Sequence, residues 1–278
     1  MNTYENLTLD QERALYGIHN AYVKDCLFDG PADGESALKE THHLQIENCD
    51  FHLRYPMWHM ADSTLIHCRM TDTCRAALWY DQGIEIHRSH LGGIKALREC
   101  DDTVITDTQI QSTEFGWYCR GLTMQNCSLI SEYPFLNSRD MLFEKFDMTG
   151  KYSFQYCTDF VIRHSHLKTK DAFWHARNVR VEDSIIQGEY LGWYSENLHL
   201  IRCKIIGTQP LCYCKNLILE DCEMVDADLC FERSSVQATV KGHILSVKNP
   251  LPGSCITADS IGEIIQEAGF EGAAVTIR

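Results

Sequence analysis

A repeat of 19 residues is the feature that most restricts what this sequence can fold into. Leu122–Leu129, Leu198–Ile205 and Leu217–Met224 share one apolar alternation around a central cysteine. If that cysteine is taken as the anchor of each repeat, the anchors follow at steps of 23, 19, 21 and then 19 seven times. The eleven anchors are Cys26, Cys49, Cys68, Ser89, Thr108, Cys127, Phe146, Ser165, Ser184, Cys203 and Cys222. A fixed step over most of a chain is typical of a repeat architecture.

The residues around each anchor predict short strands. The positions two after and three before the anchor are apolar in every repeat, and polar residues alternate with them before the anchor. That is the period of a strand buried on one face. A 19-residue unit is too short for a strand with a crossover helix, which needs about 30 residues, but suits one coil of a β-solenoid. We therefore expect an all-β solenoid of about 11 coils, stacked at about 4.8 Å.

The domain organisation follows from the range of the repeat. We expect a single domain over residues 1–278, because one continuous core runs through stacked coils. The coils are expected over residues 16–233. Residues 1–15 are expected to cap the first coil, and residues 234–278, where the 19-residue step breaks, are expected to cap the last.

The 14 cysteines need an explanation other than disulfides or zinc. No two cysteines are separated by only two residues, and the close pair Cys212 and Cys214 has no matching pair downstream. Cysteine also behaves as a small buried hydrophobe. The anchor cysteines are therefore predicted to pack inward at tight corners, and no metal and no cofactor are expected.

Charge and hydropathy restrict the partners. Lys and Arg total 25 and Asp and Glu total 39, so the net charge of −14 argues against a nucleic-acid partner. No apolar stretch approaches the roughly 18 residues that span a bilayer, so no membrane partner is expected. Met1–Leu15 has no apolar core of signal-peptide length, which predicts a cytoplasmic protein. The sequence is also compatible with a homo-oligomer.

All five tryptophans occupy one position of the repeat, ten residues before the anchor. The preceding position is mostly apolar, so strand alternation predicts that the tryptophans face outward. Flat rings suit sugar rings, and tryptophans of adjacent coils would form one platform. The alternative is that stacked like side chains only stabilise neighbouring coils. The predicted ligand-binding aromatic residues, at this position and the next, are Trp58, Trp79, Tyr80, Trp117, Tyr118, Trp174, Trp193 and Tyr194.

Two arginines are predicted to complete the ligand site. Arg54 and Arg75 each lie 14 residues before their anchors and should be neighbours on adjacent coils. Two guanidinium groups that close favour an anion, such as a uronate carboxylate or a phosphate.

Candidate catalytic residues lie where charges interrupt the aromatic residues. Asp81 and Glu99 fall on successive coils and could approach the carboxyl separation of a glycosidase, about 5–9.5 Å. A lyase would instead need a base, for which Lys39, His59 and Arg98 are the candidates. The alternative for all these charges is a set of salt bridges on a solvated face.

Several segments also resemble a known family. They cover essentially the whole chain and identify it as similar to an uncharacterised bacterial family of unknown function within the pectin-lyase-like superfamily. This resemblance implies a right-handed parallel β-helix, and the wider superfamily implies carbohydrate chemistry by analogy. The segments are Glu12–Gly17, Leu38–Glu40, Tyr55–Trp58, Arg75–Tyr80, Lys170–Trp174, Glu189–Trp193, Ser246–Pro250 and Ala258–Ile265.

These observations predict a carbohydrate-binding or carbohydrate-processing protein. Its partner would be an oligosaccharide or another anionic small ligand on the Trp/Tyr face, with the charges near Arg54, Arg75 and Arg98 as the active centre. As an enzyme it would be a polysaccharide lyase or a glycoside hydrolase that acts on a sugar with acidic groups. The alternative is a non-catalytic β-helix scaffold or self-association module.

Overall fold

A computed structural model describes residues 1–30 and 35–278. The chain forms two compact units, Met1–Leu142 (unit 1) and Phe143–Arg278 (unit 2). Every strand pairing described within the units is parallel, which confirms the predicted all-β parallel β-solenoid. The chain has about 14 coils, rather than the 11 expected from the anchors.

Unit 1 alternates long and short strands. Strands of six residues before each anchor pair with their equivalents one coil on, as in the register Thr103↔Leu122. The strands of unit 1 are β1 (Asn2–Glu5), β2 (Thr8–Leu9), β3 (His19–Lys24), β4 (Leu27–Phe28), β5 (His42–Glu47), β6 (Asp50–Phe51), β7 (Ala61–Ile66), β8 (Arg69–Met70), β9 (Gln82–His87), β10 (His90–Leu91), β11 (Asp101–Thr106), β12 (Gln109–Gln111), β13 (Arg120–Gln125) and β14 (Ser128–Glu132). The boundary between the units falls within β15 (Arg139–Glu144).

Unit 2 continues the same alternation and ends in longer strands. Its register keeps the 19-residue step, as in Val179↔Leu198. Its strands are β16 (Asp147–Lys151), β17 (Thr158–Arg163), β18 (His166–Lys170), β19 (Arg177–Glu182), β20 (Ile185–Gln187), β21 (Glu196–Ile201), β22 (Lys204–Ile206), β23 (Leu217–Val225), β24 (Val236–Lys248), β25 (Cys255–Ile265) and β26 (Ala274–Ile277).

Both terminal segments differ from the expected caps. The strand β1 pairs with β3 in the register Asn2↔Ala21, so residues 1–15 already belong to a coil. At the other end, β23 to β26 continue the parallel pairing through residues 234–278. The step there shortens, to 18 for Gln237↔Cys255 and 17 for His243↔Ser260. A search for a 19-residue step passes over such coils, which is why the sequence predicted a cap.

The anchors form buried columns, as predicted. Cys49, Cys127 and Cys222 are almost fully buried. The thiol of Cys127 donates to the Gln125 carbonyl oxygen at 3.2 Å, and the Ser89 hydroxyl makes the equivalent bond to its own neighbour two residues back. Cysteine and serine therefore perform the same task at this position, and all 14 cysteines are free.

The segment predicted as a second strand is an irregular arch. Tyr55, Met57 and His59, at alternate positions, all have φ between 56° and 58°, which is the left-handed region. Regular strands cannot form with such residues, so adjacent arches are joined by isolated bridges such as Trp58↔Trp79 and by single backbone hydrogen bonds, such as that from the His59 N–H to the Trp79 carbonyl oxygen at 3.0 Å. In this conformation two successive side chains, at the tryptophan position and the next, point away from the core.

Candidate functional site

Two neighbouring columns of side chains form the candidate site. The tryptophan column is the set of residues ten before each anchor, and all five of its indoles are half-buried. The outer row is the set that follows it by one position and is more exposed. The outer row contains Gly17, Glu40, His59, Tyr80, Glu99, Tyr118 and Asn137 in unit 1 and Tyr156, His175, Tyr194 and Tyr213 in unit 2. The outermost aromatic side chains are thus the tyrosines and histidines, and not the tryptophans.

In unit 1 the tryptophan column is a closed stack. Trp58 and Trp79 lie parallel with ring centroids 5.1 Å apart. The Lys39 ammonium covers Trp58 at 4.7 Å, and the Arg98 guanidinium lies over Trp79 at 5.1 Å and over Trp117 at 5.0 Å. Both faces of Trp58 and Trp79 are therefore occupied by neighbouring coils. This corrects the predicted sugar platform, because a sugar cannot stack on a face that another side chain covers.

The indole N–H groups are also occupied. Four of the five donate to a backbone carbonyl oxygen at 2.5–2.9 Å, from Trp58 to Ala76, Trp79 to Lys95, Trp117 to Tyr133 and Trp193 to Gln209. The exception is Trp174, whose buried Nε1 has no partner in the described part of the chain. The indole N–H groups of the tryptophan column therefore bond mainly within the solenoid and not to a ligand.

Asp81 does not belong to the surface. It is only 2% exposed, its Oδ1 accepts a hydrogen bond from the Met60 backbone N–H at 2.8 Å, and its Oδ2 has no partner. Burial raises the pKa of Asp81 well above its ordinary value. Because Asp81 is buried, it cannot form the predicted surface pair with Glu99, whose Oε1 instead lies 3.8 Å from the Arg98 Nε.

The predicted arginine pair is already partly satisfied. The Arg54 guanidinium forms an ion pair with Glu35 at 2.6 Å. Arg75 is exposed, and its carbonyl oxygen accepts the Tyr55 backbone N–H at 2.8 Å. Because the Arg54 guanidinium already has a carboxylate partner, the two arginines do not offer two unpaired cations to an anionic ligand.

The outer row of unit 1 mixes rings and acids. His59 and Tyr80 stack with centroids 5.0 Å apart, and Tyr80 and Tyr118 are 38% and 42% exposed. Glu99 separates the two tyrosines. The aromatic part of this row is therefore only two coils long before a carboxylate interrupts it.

The outer row of unit 2 is longer and fully aromatic. Tyr156, His175, Tyr194 and Tyr213 stack in succession, with centroids 5.0, 5.1 and 5.0 Å apart. Behind them, Trp193 contacts Trp174 at 6.4 Å. Four consecutive coils thus present the edges of parallel rings at one repeat distance.

These ring edges carry unused hydrogen-bonding groups. Within residues 1–30 and 35–278, the hydroxyls of Tyr156, Tyr194 and Tyr213 and the imidazole of His175 form no hydrogen bond. Burial, with Glu232 nearby, raises the pKa of Tyr213, so its hydroxyl stays protonated at neutral pH. Each phenol can both donate and accept, and so can a neutral imidazole.

A charged row borders the aromatic one. Arg177, Glu196 and Lys215 lie on three successive coils and, with three outer-row residues (His175, Tyr194 and Tyr213), line a shallow pocket of about 210 Å³. The Arg177 Nε lies 3.9 Å from Glu196 Oε2.

Sequence reasoning assigned Tyr194 to a binding site but missed the rest of this pocket. The signal that could have found the aromatic residues was the column itself, where four ring-bearing residues follow at the 19-residue step.

Among the described residues, no group of three or more His, Cys, Asp or Glu side chains is arranged to hold a metal ion. The same part of the chain contains no helix with the length and apolar character to cross a membrane.

This chain has distant likenesses among solved structures and a match to one protein family. A comparison with curated proteins finds no match. Similar solved structures include a mannuronan C-5 epimerase A-module from Azotobacter vinelandii (10% identity over 99% of this chain and 88% of that one, TM-score 0.43). The tailspike protein of E. coli bacteriophage HK620, in complex with a pentasaccharide, is 8% identical over 94% of this chain and 60% of that one, with a TM-score of 0.45. Likenesses this distant carry no functional argument.

The family is decided by the sequence match. The model of a family described as a protein of unknown function (DUF3737) matches residues 2–277. That range is nearly the whole chain, and it confirms the family resemblance that the motifs predicted. The chain therefore belongs to the DUF3737 family.

Proposed function

We propose that this protein binds carbohydrate, and that the outer row of unit 2 is the binding surface. The observation that carries the proposal is the row of unused hydrogen-bonding groups on Tyr156, His175, Tyr194 and Tyr213. Sugars are recognised by hydrogen bonds to hydroxyls and by apolar contact, and the edges and rims of tyrosine rings supply both.

Binding is better supported than bond cleavage. Of the catalytic candidates, Asp81 is buried, and Lys39 and Arg98 lie against indole rings. His59 and Glu99 remain on the surface of unit 1, separated by the coil of Tyr80. Since Asp81 is buried, it and Glu99 do not form the surface carboxyl pair of a glycosidase, so the proposal is restricted to recognition.

Ligand-observed NMR with a panel of neutral and acidic oligosaccharides tests this function. We expect saturation transfer to at least one saccharide with the unaltered protein, and a weaker signal with Tyr194→Ala. The matched control is Tyr118→Ala, which removes an equally exposed phenol from unit 1 and should keep the signal. An absence of transfer to every saccharide would contradict carbohydrate binding.

A structural scaffold is the second candidate, because the tryptophan column of unit 1 is filled by its own neighbours. Such a stack stabilises coils without any ligand.

A cytoplasmic location also remains a proposal. It is supported by the 14 free thiols, which a reducing compartment preserves.

A further inference from the structure

The repeat distance of the outer row narrows the ligand class. Its four rings follow one another at 5.0–5.1 Å, with interplanar angles of 6°, 9° and 18°. Each coil of the row therefore presents one ring whose edge carries a polar atom, and these polar atoms recur once per coil. A linear polymer satisfies them all only if its own repeat advances by about the same distance.

Three classes of linear polymer differ in this respect. An extended polypeptide rises about 3.3 Å per residue, and its side chains alternate between two faces, so it does not keep step with the coils. A nucleic-acid strand carries a charge about every 3.4 Å and would meet a protein of net charge −14. An equatorially linked pyranose ribbon advances by close to one coil per sugar. Successive sugars turn over, but each carries hydroxyls on both of its edges, so every sugar can meet a ring edge.

The charged row beside the rings favours a neutral ligand. Arg177 already pairs with Glu196 at 3.9 Å, which leaves Lys215 as the one cation of this row without an ion pair among the described residues. A glycan with a carboxylate on every sugar would bring three carboxylates to one unpaired cation. A neutral glycan needs no counter-charge, because its hydroxyls accept from the cations and donate to the carboxylate.

We infer that the outer row of unit 2 binds a neutral, extended, equatorially linked glycan, of the cellulose or chitin type, with one sugar on each coil. The inference rests on the proposed carbohydrate binding. Coiled axially linked glycans fall out of step with the row after one or two sugars, and polyuronates meet an unpaired cation only at Lys215. Four coils carry the row, so binding should require about four sugars.

Isothermal titration calorimetry on the full chain tests the inference with three hexasaccharides: cellohexaose, maltohexaose and hexagalacturonate. We expect cellohexaose to bind at least about tenfold more tightly than the other two, a ratio worth about 1.4 kcal/mol. In a series of cello-oligosaccharides, the affinity should rise from two sugars to four and then level off.

Tyr194→Phe tests the position of the ligand without disturbing the stack, because it removes one hydroxyl and keeps the ring. We expect the affinity for cellohexaose to fall by about threefold to tenfold, as for one lost hydrogen bond, with an unchanged Tm. The control is Tyr118→Phe in unit 1, which should leave the affinity unchanged.

The outcomes separate the two proposals. Equal or tighter binding of maltohexaose or hexagalacturonate would overturn the ribbon inference and leave carbohydrate binding in place. Cellohexaose binding that Tyr194→Phe does not weaken would overturn the assigned row. If no saccharide binds, both proposals fail.

Discussion

The indoles of Trp58 and Trp79 lie face to face, with centroids 5.1 Å apart and planes inclined by only 2°. Each indole N–H also donates to a backbone carbonyl at 2.6 Å. Both rings are thereby held flat against the next coil, and their faces are closed to any ligand. The pair acts as a clamp between adjacent coils. Its removal should lower the free energy of unfolding.

Trp79→Ala should destabilise the protein by about 2–3 kcal/mol, somewhat less than for a fully buried ring, since two stacking contacts and a hydrogen bond are lost. Trp79→Phe keeps a ring and should cost about 1 kcal/mol. Urea denaturation followed by circular dichroism measures both. Ile130→Ala, at a site 58% exposed, is the control and should stay within about 0.5 kcal/mol. A similar loss in all three variants would contradict the clamp.

Arg98 should stabilise unit 1 through its rings more than through its ion pair. Its guanidinium lies about 5 Å from the rings of both Trp79 and Trp117. Arg98→Met keeps an apolar stem but loses all three cation–π contacts, including the one to Tyr118 at 5.4 Å, so we expect a loss of about 1–2 kcal/mol by thermal denaturation. Since cation–π contacts at a half-buried site are weakly screened, the loss should persist at high salt.

Arg69→Met is the matched control for Arg98→Met, because Arg69 is exposed and makes no ion pair in the described chain. It should change stability by less than about 0.5 kcal/mol. An equal loss at both positions would argue against the sandwich.

Asp81 should make stability fall as the pH rises. Its pKa is raised in the folded protein, so the unfolded chain loses the proton first. Stability is then complete below the ordinary carboxyl pKa, about 3.9, and declines above it up to the raised pKa. Asp81→Ser keeps an acceptor for the Met60 N–H, as Ser138 does for the equivalent Cys119 N–H.

We therefore expect Asp81→Ser to gain stability relative to the unaltered protein as the pH rises from about 4 to about 8, in denaturation experiments at several pH values. Asp72→Ser, at an exposed carboxylate, is the control and should show a flat difference. A flat difference for Asp81→Ser as well would contradict a buried neutral acid.

The thiols should differ sharply in reactivity. All 14 cysteines are free, and only Cys255 is exposed. Titration with an aromatic disulfide reagent should label one thiol in the native protein and 14 after denaturation, because buried thiols are shielded from the reagent and from ionisation. Cys255→Ser should abolish the native labelling. Rapid labelling of several further thiols would show that the coils open readily.

The sequence alone determined the repeat, and with it the solenoid. Cys127 and Cys203 are buried because a 19-residue step returns the same position to the same corner of each coil. A short-range pattern of apolar and small residues contains that information. The 19-residue pattern did not predict the C-terminal coils, because their step shortens to 18 and then to 17, as between His243 and Ser260.

Only the tertiary structure decided which faces are open. Whether a ring in the tryptophan column meets water or a neighbour depends on what stands one coil away, as Arg98 does between Trp79 and Trp117. The burial of Asp81 follows from a left-handed arch that no two-residue alternation predicts. For the same reason the proposed binding surface is the outer row and not the tryptophan column, because backbone torsions and stacking between coils are properties of the assembled coils and not of one repeat.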